Sequence, residues 1–193
     1  MEKELNPTES LELIQQTIRE AKGRFQENGH VYIFWGTLTL VCALSQFLLE
    51  ELEIPYPFLV WLLTIPGGIY TSRFYLRRKK GRKGKNVIAS ILMVTGFLFG
   101  ANIFILGFAF WPYLGESYSP IVVVLLSLYA MVVARALQFE QMFYIGLATN
   151  LLGFCLFFVD LHYQSLGVGL AGICLLLIPG ILLNQMNKKR TKT

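Results

Sequence analysis

The sequence predicts an all-α polytopic membrane protein, six transmembrane helices in a bundle preceded by an N-terminal cytoplasmic amphipathic helix. Three observations predict it. The 193 residues are 54% hydrophobic and 15% charged, whereas an ordinary soluble domain is about 25% charged. The apolar residues gather in runs of about 20, the length at which a helix crosses a hydrocarbon layer about 30 Å thick. The basic residues, finally, fall only in alternate gaps between these runs.

Residues 1–29 are polar and contain "NPTESLELIQQTIREAKGRF". Asn6 suits a helix cap, Pro7 the first turn, and Glu9 completes a capping box. Leu11, Ile14, Ile18, Ala21 and Phe25 then step by three and four, which draws one narrow apolar stripe along a charged rod. Such a stripe fits packing beneath the protein's own bundle, a cytoplasmic protein partner, or self-association into a homo-oligomer. Glu9, Glu12, Glu20 and Glu27 argue against its lying on an anionic leaflet.

The six runs are expected at 31–49, 57–76, 87–111, 120–138, 141–159 and 164–184, inside a membrane domain of residues 30–186. Strands are not expected, because the runs lack polar alternation and backbone groups in lipid bond within a helix or a closed barrel. Ala43-Leu44-Ser45 faintly resembles a signal cleavage site. The polar stretch ahead of it is too long and too balanced in charge for a signal, so the first run is expected to stay. Residues 187–193 form a basic tail.

Orientation follows from the positive-inside tendency of short loops. Four of the 17 Lys and Arg precede the first run, and eight lie in the second link, Arg73 and the seven of "RRKKGRKGK". Arg135 marks the fourth link and four more close the chain, which leaves none for the other side. Both termini are therefore expected in the cytoplasm of a cell with an inner membrane. Arg77, Arg78, Lys79, Lys80, Arg82, Lys83 and Lys85 are expected to touch anionic lipid headgroups, at about 1 kcal/mol per nearby charge. No nucleic acid is expected as a partner, since no aromatic residues interleave with these charges.

Polar side chains inside the runs are few. Thr95 and Asn102 share a face of the third run, Asn150 sits within the fifth, and Gln46 lies near the outer end of the first. Interhelical hydrogen bonding is the plain use for them, at about 0.6 to 2 kcal/mol each. The sharper use makes Asn102 and Asn150 part of a polar cavity in a small-solute channel or transporter. Pro66-Gly67 and Pro179-Gly180 are expected to kink the second and sixth runs. Small-residue stripes at Gly96/Gly100/Gly107, Gly146/Asn150/Gly153 and Ser165/Gly169/Gly172 suit close helix contacts.

Arg135 is placed to pair with Glu140 or to snorkel. Asp160 and His162 offer two metal-ligand side chains, too few for a closed site; a membrane enzyme acting on lipid there is the third reading. Cys42, Cys155 and Cys174 read as buried apolar side chains. No nucleophile-and-base set or phosphate loop occurs, so a non-enzymatic interaction or regulatory protein without cofactor is expected.

"RFQENGHVYIFWG" (24–36), "ARALQFEQMFYIG" (134–146) and "IPGILLN" (178–184) resemble a family of small six-span bacterial membrane proteins of no assigned activity. The resemblance extends through the layout of nearly the whole chain. It implies an inner-membrane location and a cytoplasmic regulatory partner, because genes of that family lie beside winged-helix regulators. It implies no catalytic residues.

Overall fold

A computed structural model describes residues 11, 12, 15–17, 29–79 and 87–190. Leu11, Glu12 and residues 15–17 are helical, with Leu11 exposed. Ile14, Ile18, Ala21 and Phe25 of the predicted stripe lie outside the described residues, as do Lys80, Arg82, Lys83 and Lys85.

All regular structure among the described residues is helical. The helices are α1 Gly29–Glu51, α2 Thr64–Lys79, α3 Val87–Ala109, α4 Trp111–Leu114, α5 Tyr118–Ala136, α6 Glu140–Cys155, α7 Leu161–Gly172 and α8 Ile178–Arg190. A 3₁₀ stretch, Pro57–Leu63, leads into α2, and a π turn, Ile173–Leu177, joins α7 to α8. Five stretches are long and apolar enough to cross a membrane: Gly29–Glu51, Ser90–Ala109, Trp111–Ala136, Glu140–Phe158 and Leu161–Met186. The second predicted run is not among them. Its α-helical part is 16 residues long and carries Pro66, Gly67, Gly68 and Arg73.

Side-chain contacts fix the direction of each element. Gln46 meets Trp61, Cys42 meets Val60, Trp35 meets Thr71 and His30 meets Phe74, so Pro57–Lys79 runs antiparallel along the whole of α1. Tyr118 reaches Ile103 and Tyr129 reaches Leu92, so α5 runs antiparallel to α3. Asn150 reaches Ser127 across the closely packed, antiparallel pair α5 and α6. The chain reverses between these two through Gln138 in the left-handed region (φ 56°), where the Phe139 N–H donates to Ala134 O at 2.8 Å. From α7 to α8 the chain returns along α1, with Gly169 against Ala43, Gly172 against Thr39 and Gly180 against Ile33.

This threading sorts the connections to two ends. One end gathers Glu50 to Pro57, Ala109 to Tyr118 and Phe158 to Leu161; Phe58 and Phe108 touch there. The other gathers Gly29, the ends of α2 and α8, the start of α3 and the α5–α6 turn. Glu50, Glu51, Glu53, Glu116 and Asp160 lie at the first end; Arg73, Arg77, Arg78, Lys79, Arg135, Lys188, Lys189 and Arg190 lie toward the second.

At both predicted kinks the helix geometry changes. Pro66 is the third residue of α2, in its first turn, a position that tolerates proline. The junction upstream is a change from 3₁₀ to α geometry, with Gly67 opposite Leu38 and Phe34 of α1. Pro179 has no N–H to offer Leu175 O, and the turn before it opens to π geometry. Gly180 beside it is a contact residue: a Cβ there would stand 2.7 Å from Ile33 N and 2.9 Å from Gly29 O.

Candidate functional site

The predicted intramembrane polar residues do not form one site. Asn102 is exposed on α3 and donates from Nδ2 to Leu98 O of its own helix at 2.8 Å. Thr95 is also exposed. Asn150 turns inward, donating to Ser127 Oγ at 2.9 Å and Val124 O at 3.3 Å across the α5–α6 contact. Ser127 is fully buried and donates in turn to Val124 O at 2.8 Å. The half-buried asparagine therefore bonds across the helix contact, a common use of polar groups between membrane helices. No described contact joins Asn102 to Asn150. A cavity of about 20 Å³ between the start of α6 and α8 has room for about one water, and neither asparagine lines it.

Gln46 has a different setting, which its isolated position in the sequence did not reveal. It accepts a hydrogen bond from Trp61 Nε1 at 2.6 Å and donates to Glu50 Oε1 at 2.7 Å, one helical turn further along α1. Glu50 Oε2 is buried and lies 3.4 Å from His162 Nδ1, while His162 Nε2 stands 2.9 Å from Glu51 Oε1. The imidazole of α7 thus sits between two carboxylates of α1, with Phe47 against its ring at a 4.7 Å centroid distance. The Nε2–Glu51 approach is at hydrogen-bond distance, whereas the buried Glu50 Oε2 has no hydrogen-bond partner among the described residues. The network Trp61–Gln46–Glu50–His162–Glu51 ties three chain segments together at the acidic end.

The sequence paired His162 with Asp160, and the structure pairs it with Glu50 and Glu51. Asp160 stands at the N-cap of α7 with no capping hydrogen bond from its side chain. The i, i+4 spacing of Gln46 and Glu50 was the only signal of this network in the sequence, because Trp61 lies 15 residues from Gln46 and His162 lies 111 from Glu51. Nearby, Gln164 is 2% exposed and donates to Val159 O at 3.0 Å. Among the described residues, no group of three or more His, Cys, Asp and Glu side chains is arranged to hold a metal ion.

At the basic end Arg135 bonds Glu140 Oε1 at 2.9 Å and covers the Phe143 ring at 4.0 Å, as its position at the tight turn predicted. Arg77 is exposed near the end of α2, and Arg78 and Lys79 close that helix. Of the three cysteines Cys42 is buried, whereas Cys155 is exposed and Cys174 half-buried. The expectation that all three are buried fails because α6 turns Cys155 away from the α5 contact that holds Gly146, Asn150 and Gly153.

The small-residue stripes divide between helix contacts and tyrosine slots. Gly146 and Gly153 face Met131 and Val124 of α5. On α3, Gly96 and Gly107 each make room for a tyrosine hydroxyl: Tyr129 donates to Leu92 O at 3.0 Å, Tyr118 to Ile103 O at 3.1 Å. In both slots the glycine sits four residues after the accepting carbonyl, where a side chain would block the hydroxyl. Gly100 faces open space.

No protein-family model matches the chain, and comparison with curated proteins and with solved structures returns no match.

Proposed function

We propose that this protein is a six-span, non-catalytic membrane protein with both ends and its basic links in the cytoplasm. Its work is interaction or regulation, through a cytoplasmic partner that meets the N-terminal stripe. One observation carries the topology. Pro57–Lys79 lies antiparallel along the full length of α1, so it traverses the same thickness although its α-helical part is short. Counting it as a span sets the basic residues described within 29–190 toward one face and five of the six carboxylates of that stretch at the other, the distribution that insertion favours. Glu140, the sixth, is neutralised by Arg135. The resemblance of residues 24–36, 134–146 and 178–184 to six-span bacterial membrane proteins supports the same layout and an inner-membrane location.

The interaction role follows from what the bundle is built to do. The buried hydroxyls of Ser127 and Thr149 donate to backbone carbonyls of their own helices and half-buried Asn150 donates to Ser127, while Asn102 is turned outward. Both choices favour rigid packing over a transport path.

Two experiments test these statements. In a background without Cys42, Cys155 and Cys174, Gly84→Cys is expected to react only from the cytoplasmic side, and Leu52→Cys only from the opposite side. Labelling of both from one side overturns the six-span layout. For the partner, Ile14→Asp with Ile18→Asp is expected to abolish recovery of a cytoplasmic protein in a mild-detergent pull-down while leaving insertion intact. Unchanged recovery removes the stripe from the proposal.

A further inference from the structure

Helix α2 has two faces. Gly67, Tyr70, Thr71 and Phe74 meet Leu38, Phe34, Trp35 and His30 of α1. Along the adjoining face runs a groove of about 570 Å³ lined by Pro66, Ile69, Tyr70, Arg73, Phe74 and Arg77. These positions step by three, one, three, one and three, so they form one continuous stripe along a helix. The stripe is graded. It begins with Pro66 and Ile69, continues through the two rings, and ends with the guanidinium groups toward the basic end. Arg73 and Arg77 are both exposed, and neither makes an ion pair with a described residue. The volume lies within the range of sites that hold small molecules, about 300–1,000 Å³.

We propose that this groove binds one phospholipid with an anionic headgroup. Arg73 and Arg77, one helical turn apart, take the phosphate between their planar forks, a geometry for which guanidinium is suited and ammonium is not. An acyl chain follows Ile69 and Pro66 toward the bilayer centre. Tyr70 and Phe74 stand between, at the depth where aromatic rings favour the interface. The charge gradient selects this occupant. A soluble anion has no use for the apolar half, and a neutral lipid leaves two guanidinium groups without a counter-charge. This assignment rests on the six-span layout, which sets Arg73 and Arg77 at the cytoplasmic headgroup level. The two fail separately, since cysteine labelling reports the layout and lipid retention reports the groove.

The test is native mass spectrometry of the full chain, stripped of lipid in neutral detergent and titrated with phosphatidylglycerol or phosphatidylcholine. One phosphatidylglycerol per chain is expected to bind, about tenfold more tightly than phosphatidylcholine. Arg73→Gln with Arg77→Gln is expected to weaken it about thirtyfold, from the loss of two charges near the headgroup. Arg135→Gln, at the same end but off this face, is expected to leave it unchanged. Equal retention of the two lipids by the unaltered protein overturns the proposal, a comparison that requires no variant to fold. So does an unchanged affinity in the double variant, or displacement by glycerol phosphate as effective as by the whole lipid, which marks a plain anion site.

Discussion

The four-segment core of α1, α5, α6 and α7–α8 differs from α3 in how it uses the same residue, glycine. In the core, glycines bring backbones together: a Cβ on Gly36 would stand 2.7 Å from Leu177 N, and one on Gly153 3.0 Å from Val124 N. On α3, glycines admit tyrosine hydroxyls or face nothing. The membrane-length window of α3 has none of its residues buried, against 44% in Leu161–Met186. Lipid tails are as apolar as leucine, so helices in a bilayer associate through close packing and hydrogen bonds and not by hiding apolar surface. Backbone contact gives the core its density. Two tyrosine anchors hold α3 at arm's length.

The comparison is tested most sharply by making one substitution in both regions. Gly36→Ala and Gly180→Ala each push a methyl group against backbone atoms that have no freedom to move, and each is expected to cost about 2–3 kcal/mol. Thermal unfolding in detergent reads this as a clear drop in midpoint. Gly100→Ala, in open space on α3, is expected to be neutral or to raise the midpoint, since alanine is favoured over glycine in a helix by about 0.5–1 kcal/mol. A Gly100→Ala variant as damaged as Gly180→Ala erases the distinction between the regions.

A smaller effect separates the two kinds of slot. Gly96→Ala places a Cβ 2.5 Å from the Tyr129 hydroxyl, so it is expected to destabilise the protein in its native background and much less beside Tyr129→Phe, which removes the oxygen. A double-mutant cycle measures this coupling; purely additive effects mean the hydroxyl does not occupy the slot. The smallest expected change is Asn150→Leu, at about 0.6–2 kcal/mol. It loses the bonds to Ser127 and Val124 while keeping side-chain bulk. No loss of stability on this change breaks the view that α5 and α6 are joined by that amide.

Much of the layout was legible in the sequence because it depends on local quantities. Five of the six predicted runs overlap stretches of spanning length, four of them within about three residues at each end and the fourth run with a start nine residues later than Trp111. The second run shows where composition misleads: "PFLVWLLTIPGG" is apolar throughout, yet a proline at each end of the stretch favours 3₁₀ geometry before the α-helix begins. The contact face of α7–α8 was legible only as far as Gly172. Positions against α1 run 169, 172, 177, 180 and 184, and the step of five falls at the π turn, where no search at helical spacing finds it. Gly180 was therefore read as part of a kink, although its office is contact.

The sequence by itself determined that the chain is helical, where its apolar stretches begin and end, and in which gaps its charges fall. These follow from hydropathy, proline chemistry and the spacing of Lys, Arg, Asp and Glu along one dimension. Only the tertiary structure decided that His162 sits between Glu50 and Glu51, that Asn150 bonds across a helix contact while Asn102 faces outward, and that Arg73 and Arg77 share a groove with Pro66 and Ile69. Each depends on the rotation of a helix about its axis or on contacts between segments distant in the chain, and packing decides both.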